Sequence, residues 1–304
     1  LCKELQHIFV YDHIAKNHRD CSHGERKMTL YGFRMEDWIS KSFREKLEGY
    51  VELTDITNRK EFYKPLGQDD ISIIFSYYNY NNFTEIAQVM DHINLLVKLG
   101  KISKIIFISS YNVYKPMYDE PFSEDSPKGP RNPVGINALT IENILIYLHR
   151  KYGVETNILR LFSLYGPYMD NNTLVSNLLR SYIRNEVVEI GDLKKVRDFL
   201  FIDDLINIVR NIYLRQNNNN LSIYNVGTGV PTSIKELVDK INTLTNKKPK
   251  IVFNPERISS EYDHDYVVAD NTRILNDFPD LKLVPLERGL ELTYLWELGR
   301  EKDV

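Results

Sequence analysis

Residues 134–152 read VGINALTIENILIYLHRKY, and in them Val134, Ala138, Ile141, Leu145, Leu148 and Tyr152 recur at steps of four and three. That spacing is the apolar stripe of a helix packed into a core. Upstream lies an apolar run that ends in serines, Ile105 to Ser110 (IIFISS), followed by YNVYKP. Downstream comes a second strand and turn, ILRLFSLYGP, from Ile158 to Pro167. Further out the same alternation continues. MTLYGF (28–33) reads as a strand, Met35, Ile39, Phe43 and Leu47 as one face of a helix, and YVELT (50–54) as the next strand. A short helix over 58–66, a buried strand ISIIFS (71–76), a helix over 83–99 and a strand over 104–109 follow. Strands alternating with amphipathic helices at this spacing predict a parallel, doubly wound α/β sheet.

Bulk properties narrow the function. A formal net charge of -3 gives no electrostatic footprint for nucleic acid or for an acidic membrane surface. No apolar run approaches the ~20 residues that a membrane span needs. The charged, mixed opening LCKELQHIFVYDH does not read as a signal peptide, and because the chain starts at Leu1 a missing N-terminal stretch is left open. Two cysteines, Cys2 and Cys21, make no disulfide framework, so a cytoplasmic location is expected. His18, Cys21 and His23 cluster in the first 26 residues, but their spacing matches no zinc pattern, so a solvated helix is expected and no metal.

Beyond residue 165 the sequence predicts helices over 175–184, 204–214, 233–244 and 286–298, the third capped by Thr232 or Ser233. The run QNNNN (216–220) reads as a solvated loop.

Five stretches together carry a resemblance: SSYNVY (109–114), PVGINALTIE (133–142), LRLFSLYGP (159–167), VRDFLFIDD (196–204) and YNVGTG (224–229). Their order resembles the extended short-chain dehydrogenase/reductase family, the NAD-dependent nucleotide-sugar epimerases and dehydratases. The resemblance implies a Rossmann-like core over 27–168 plus parts of 195–230. It also implies a smaller substrate-binding lobe from 169–194 and 231–304, with 1–26 as an extension or remnant.

In that family a Tyr opens the helix and a Lys follows four residues later. The Tyr is the general acid/base, its pKa lowered by the Lys cation and the oxidised nicotinamide. Those two positions align with Val134 and Ala138, while Ser110 keeps the Ser/Thr position. A valine moves no proton and an alanine carries no charge. The methyl groups extend the apolar stripe by a turn, so the former site is expected to be filled with core.

The family's first turn needs closely spaced glycines for a pyrophosphate. Here Gly32 stands alone, with Arg34, Met35 and Glu36 beside it, and Tyr77, Tyr78 and Tyr80 follow the strand at 71–76 where small residues would line a cofactor. A competing alignment makes 1–12 the end of the first helix and the second strand, with Asp12 as the ribose acid.

The substrate half is better kept. Arg197 and Arg257 match the two diphosphate-gripping arginines, Asp263 stands near the ribose, Ser163 replaces an Asn, and Asn172 is a further contact. The bland alternative for Arg197 is an ion pair with Asp198, Asp203 or Asp204, of which Asp198 and Asp204 read as structural.

The expectation is therefore a pseudoenzyme without redox turnover and with no cofactor. It would bind a nucleotide or sugar nucleotide, or serve as a partner subunit. A homodimer, or a heterodimer with an active paralogue, would form through the helices at 83–99 and 134–152. The alternative is an active, NAD(P)-dependent epimerase/dehydratase with relocated groups, for which Tyr111, Tyr114 and Lys115 are the candidates. A third reading is a non-redox enzyme using histidines from the N-terminal segment.

Overall fold

A computed structural model describes residues 29–33, 37–52, 71–76, 83–117, 119–169, 173–215, 220–254 and 264–302. The N-terminal segment with His18, Cys21 and His23, the turn at 34–36, the helix expected over 58–66, the tyrosines at 77, 78 and 80, and Asn172, Arg257 and Asp263 lie outside them.

Six parallel strands form the central sheet: β1 (Leu30–Phe33), β2 (Tyr50–Glu52), β3 (Ile71–Ser76), β4 (Ile102–Ser110), β5 (Glu155–Leu161) and β10 (Leu221–Val226), in the spatial order β2-β1-β3-β4-β5-β10. The chain leaves β1 for β2 through α1 (Asp37–Lys46), then returns across β1 to β3. Direction therefore reverses between β1 and β3, and ligands of doubly wound folds bind outside the carboxyl ends of the strands at such a point. The run at 28–33 thus holds the first-strand position, as the first of the two alignments expects.

The strands are apolar on both faces because helices cover both. Leu30, Ile74, Ile106, Leu159 and Val226 face a core with α1 and α5 (Ile202–Leu214), while Ile73, Phe75, Phe107 and Ile158 face α2 (Phe83–Lys98) and α3 (Pro133–Tyr152). Neighbouring residues go to opposite faces, which is the period-two alternation hidden inside the run IIFI.

α3 starts where local chemistry starts it. Asn132 is the N-cap, its side chain accepting from Gly135 N–H at 2.8 Å, and Pro133 fills the first helical position. Gly153 ends it at φ 71°, a left-handed residue that glycine adopts without cost, and His149, Arg150 and Lys151 complement the dipole in the last turn. The stripe is buried at Ala138, Ile141, Leu145 and Leu148. It does not begin at Val134, which is 36 % exposed, so the extension of core to that residue is corrected.

Outside the sheet, β6 (Ser163–Tyr165) pairs with β9 (Phe199–Phe201), β7 (Val188–Ile190) with β12 (Ile251–Phe253), and β8 (Val196–Arg197) lies between β11 (Thr232–Ser233) and β13 (Tyr266–Val267). Helices α4 (Leu174–Arg184), α6 (Ile234–Thr245) and α8 (Leu286–Lys302) pack on one another, and α7 (Thr272–Asp277) lies against β10. α6 opens with a full capping box between Ser233 and Glu236, which decides between the two expected caps. A buried ion pair, Arg180 to Glu297 at 2.8 and 3.0 Å, ties α4 to α8.

Candidate functional site

The carboxyl ends of β4, β5 and β10 lie level, with Ser110 beside Leu161 and Leu161 beside Val226. Ser110 closes β4 and caps a 3-10 turn over Tyr111–Val113, its Oγ accepting from the Asn112 main-chain N–H at 3.2 Å and from Asn112 Nδ2 at 2.9 Å. Asn112 Oδ1 in turn accepts from Asn132 Nδ2 at 2.8 Å, and Asn132 Oδ1 accepts from Gly135 N–H. The direction of this chain is fixed from its far end. A main-chain N–H only donates, so each amide in turn must present oxygen to one neighbour and nitrogen to the next. The turn and the helix touch closely: a Cβ on Gly135 would stand 2.1 Å from the Asn112 carbonyl oxygen. Ser110 itself is 2 % exposed.

Val134 and Ala138 flank this arrangement on α3, one exposed and one sealed. The three candidates for relocated chemistry fall in different surroundings. Tyr114 is buried, donates to Asn225 Oδ1 at 2.6 Å, accepts from Arg160 Nη1 at 3.0 Å and stacks on Phe122 at 4.9 Å. Burial pushes its phenol up to about 12, with Arg160 pulling weakly the other way. Lys115 is exposed, and its main-chain N–H is bonded to Pro127. Tyr111 is half-buried with its ring against Phe162 and His264. The spacing Tyr-x-x-x-Lys does occur, at Tyr111/Lys115 across the 3-10 turn and at Tyr147/Lys151, bonded at 2.8 Å near the far end of α3. Neither pair stands at the start of α3.

Below the site a charged network is closed off from water. Arg160 on β5 grips Glu142 on α3 through Nε and Nη2 at 3.1 and 2.8 Å, and Ser109 Oγ donates to the same carboxylate at 2.5 Å. Arg160 Nη1 also reaches the Glu124 carbonyl at 2.9 Å, while the Glu124 carboxylate accepts from Asn225 N–H at 2.8 Å. This network fixes α3 against β4, β5 and β10. Sequence reading passed over Arg160, Asn225, Asn112 and Asn132. For Arg160 and Asn225 the signal was a charged or amide residue inside an otherwise apolar run, which is unusual unless it is paired, and for Asn132 it was an Asn directly before a helix-opening Pro.

On the substrate side, Arg197 Nη1 donates to the carbonyls of Val196 at 2.8 Å and Asp265 at 3.4 Å. The three carboxylates set against it are engaged elsewhere. Asp198 holds the turn after β10, accepting from Thr228 N–H, Thr228 Oγ1, Gly229 N–H and Ala269 N–H at 2.6 to 3.2 Å. Burial raises its pKa, and those donors pull it back. Gly227 is required there, because a Cβ would lie 2.4 Å from Asp198 Oδ2. Asp203 pairs with Lys46. Asp204 accepts from Val284 N–H at 3.1 Å through both oxygens. Ser163 is half-buried, its N–H bonded to the Asp198 carbonyl at 3.0 Å. Among the described residues no group of three His, Cys, Asp or Glu side chains gathers to hold a metal, and no helix is long and apolar enough to cross a membrane.

Residues 52–227, more than half of the chain, match the pattern of the NAD dependent epimerase/dehydratase family. The chain belongs to that family. Similar epimerase/dehydratase proteins include a putative UDP-arabinose 4-epimerase of Arabidopsis thaliana, 26 % identical over 65 % of this chain and 50 % of that protein. A putative UDP-glucose 4-epimerase of Methanocaldococcus jannaschii is 30 % identical over 57 % of this chain and 58 % of its own length. The match thus spans about half the length of these relatives. The UDP-glucose 4-epimerase of Lactobacillus helveticus is 24 % identical over 90 % of this chain. Among solved structures, UDP-glucuronic acid 4-epimerase from Bacillus cereus with UDP-glucuronic acid and NAD superposes with a TM-score of 0.70 at 18 % identity, covering 90 % of this chain and all of that one. The epimerase/dehydratase fold is shared.

Three described positions bear on a dinucleotide, and they do not fit one. The space that Gly32 leaves at the end of β1 is taken by the Tyr50 ring, which a Cβ would meet at 2.3 Å. Val134 and Ala138, at the positions that the resemblance gives to the Tyr and the Lys, carry neither an acidic proton nor a charge.

Proposed function

We propose that this epimerase/dehydratase relative binds a nucleotide or sugar nucleotide, or serves as a partner subunit, without redox turnover. The observation that carries the reading is Ala138, sealed in the core at the position where the resemblance calls for a lysine. A proton relay near neutral pH needs a phenol with a depressed pKa beside a cation. Of the nearby tyrosines, Tyr114 is driven the other way by burial. General acid/base groups are typically worth ~10²–10⁴-fold in rate, so their loss removes the proton step even where binding survives. The retained serine, Ser110, spends its lone pairs on capping Asn112.

Binding of a sugar nucleotide is supported by the relatives, several of which are named for UDP-sugars, and by the solved neighbours that hold UDP-glucose or UDP-glucuronic acid. Arg197, Ser163, Asn172, Arg257 and Asp263 are the proposed contacts. A homodimer, or a heterodimer with an active paralogue, would use the outer faces of α2 and α3, where Ile136 and Tyr147 are exposed.

A second reading, an active NAD(P)-dependent epimerase or dehydratase, is favoured by NAD in the same solved neighbours. Heat denaturation of the purified protein separates the two. The first reading expects no NAD(P) absorbance in the supernatant, with a melting-temperature rise from a UDP-, GDP- or dTDP-sugar but none from NAD(P) where the chain binds a sugar nucleotide, and no rise from either where it serves as a partner subunit. Stoichiometric NAD(P) release would establish the second.

A further inference from the structure

The ring of Tyr111 sits at the carboxyl ends of β4 and β5, on the side of the sheet where a doubly wound fold receives its ligand and one strand on from the reversal between β1 and β3. It lies 5.7 Å from Phe162, the residue that follows β5, and meets His264 edge-on at 5.8 Å, just before β13. His264 and Phe162 in turn contact Phe122 at 5.6 and 6.4 Å, and Phe122 stacks on Tyr114. Four of these five rings are buried, and Tyr111 alone is half-exposed, so it is the outermost member. The cluster joins the carboxyl ends of β4 and β5 to His264, just ahead of β13.

Ser110 is sealed although it stands at a strand end, where the crevice of such a fold opens. Asn112 and the first turn of α3 cover one side of it. We propose that the Tyr111 ring covers the other: it is an internal plug, held by Phe162 and His264, that must swing out before a sugar nucleotide reaches Ser110. Tyr111 opens the 3-10 turn that follows β4, so a side-chain rotation can carry its ring away, with the contacts to Phe162 and His264 among those given up. Such a plug acts as a conformational tax on binding. A ring closed about 99 % of the time weakens apparent affinity about 100-fold, and removing it restores that factor. This inference rests on the binding reading above, because it takes the cleft as the place of the ligand.

The test compares the full-length wild type with Tyr111→Ala and Tyr111→Phe. UDP-glucose is titrated by calorimetry, and amide hydrogen exchange is followed over 109–113 and 132–136. Tyr111→Ala is expected to bind UDP-glucose at least about tenfold more tightly than wild type. Its amides at the end of β4 should exchange faster, while Tyr111→Phe, which keeps the ring, should match wild type in both. Equal or weaker binding by Tyr111→Ala in a protein whose wild type binds UDP-glucose would overturn the plug and leave the binding reading standing. No binding of UDP-, GDP- or dTDP-glucose by any of the three proteins would overturn the binding reading and the plug with it. Unchanged exchange in Tyr111→Ala would sink the plug outright.

Discussion

Glu142 on α3 and Arg160 on β5 form a two-point ion pair, with Nε and Nη2 donating to the carboxylate at 3.1 and 2.8 Å, and water reaches neither side chain. The pair decides how α3 sits on the sheet. Breaking it on one side strands a charge in a medium that solvates it poorly. Arg160→Met is therefore expected to cost about 3–5 kcal/mol. The double variant Glu142→Leu/Arg160→Met should cost less than the sum of the two single changes, as read from a double-mutant cycle by urea unfolding. Strict additivity would show that the two groups are not coupled.

Val134 and Ala138 differ in what they tolerate. Val134 is 36 % exposed, so Val134→Tyr should leave stability within about 0.5 kcal/mol of wild type, the range of surface changes. Ala138 is fully buried, and a lysine there must overfill the core and hide an ammonium group. Ala138→Lys is expected to lose at least about 3 kcal/mol. Thermal melts of the two variants check this, and a stable Ala138→Lys protein would reveal room for a cation that the packing does not show.

Tyr114→Phe tests whether that phenol is structural. The change leaves Asn225 Oδ1 without its donor in the core, while Arg160 Nη1 loses one of its two acceptors and keeps the Glu124 carbonyl. A loss of about 1–3 kcal/mol is expected by chemical denaturation. Affinity for any sugar nucleotide the wild type binds should stay within about twofold, since a hidden phenol makes no contact with it. A large affinity loss with unchanged stability would restore Tyr114 as a site residue.

Asp204 makes stability depend on pH. Burial raises its pKa to about 7, against the pull of the Val284 N–H and with a further push from Asp203, while an unfolded aspartate titrates near 3.9. The folded chain thus holds this proton more tightly than the unfolded chain. The stability it contributes is full below about pH 4 and is lost as pH rises to about 7, the opposite of a salt-bridged carboxylate. Urea midpoints measured across that window should fall more steeply with rising pH in the wild type than in Asp204→Asn, which keeps an acceptor for Val284. Parallel curves for the two proteins would contradict the raised pKa.

Much of the architecture was legible because burial on a helix or strand leaves a period in the sequence. The stripe at 138–148, the run at 71–76 and the Ser233 cap are local patterns, and each took the expected form. Boundaries slipped by one to four residues, as at α5, which begins at Ile202 ahead of Asp203 and Asp204, and at α8, which runs on to Lys302. Val134 was misread as core because periodicity names the face of a helix but not how far along the helix its cover extends. Arg160 and Asn225 were passed over because the partners that make them affordable inside are distant in sequence, Glu142 and Glu124 among them.

By itself, the chain determined an alternating sheet-and-helix fold and the absence of a Tyr-Lys pair at the head of α3, since both are properties of residue type and order. Only the tertiary structure decided which of those apolar replacements is sealed, which phenol is locked in a network and which rings Tyr111 packs against. Those outcomes depend on side chains brought together from positions up to about 150 residues apart, such as Tyr111 and His264. Burial, hydrogen bonding and pKa are set by that assembled environment, and sequence neighbours contribute only part of it.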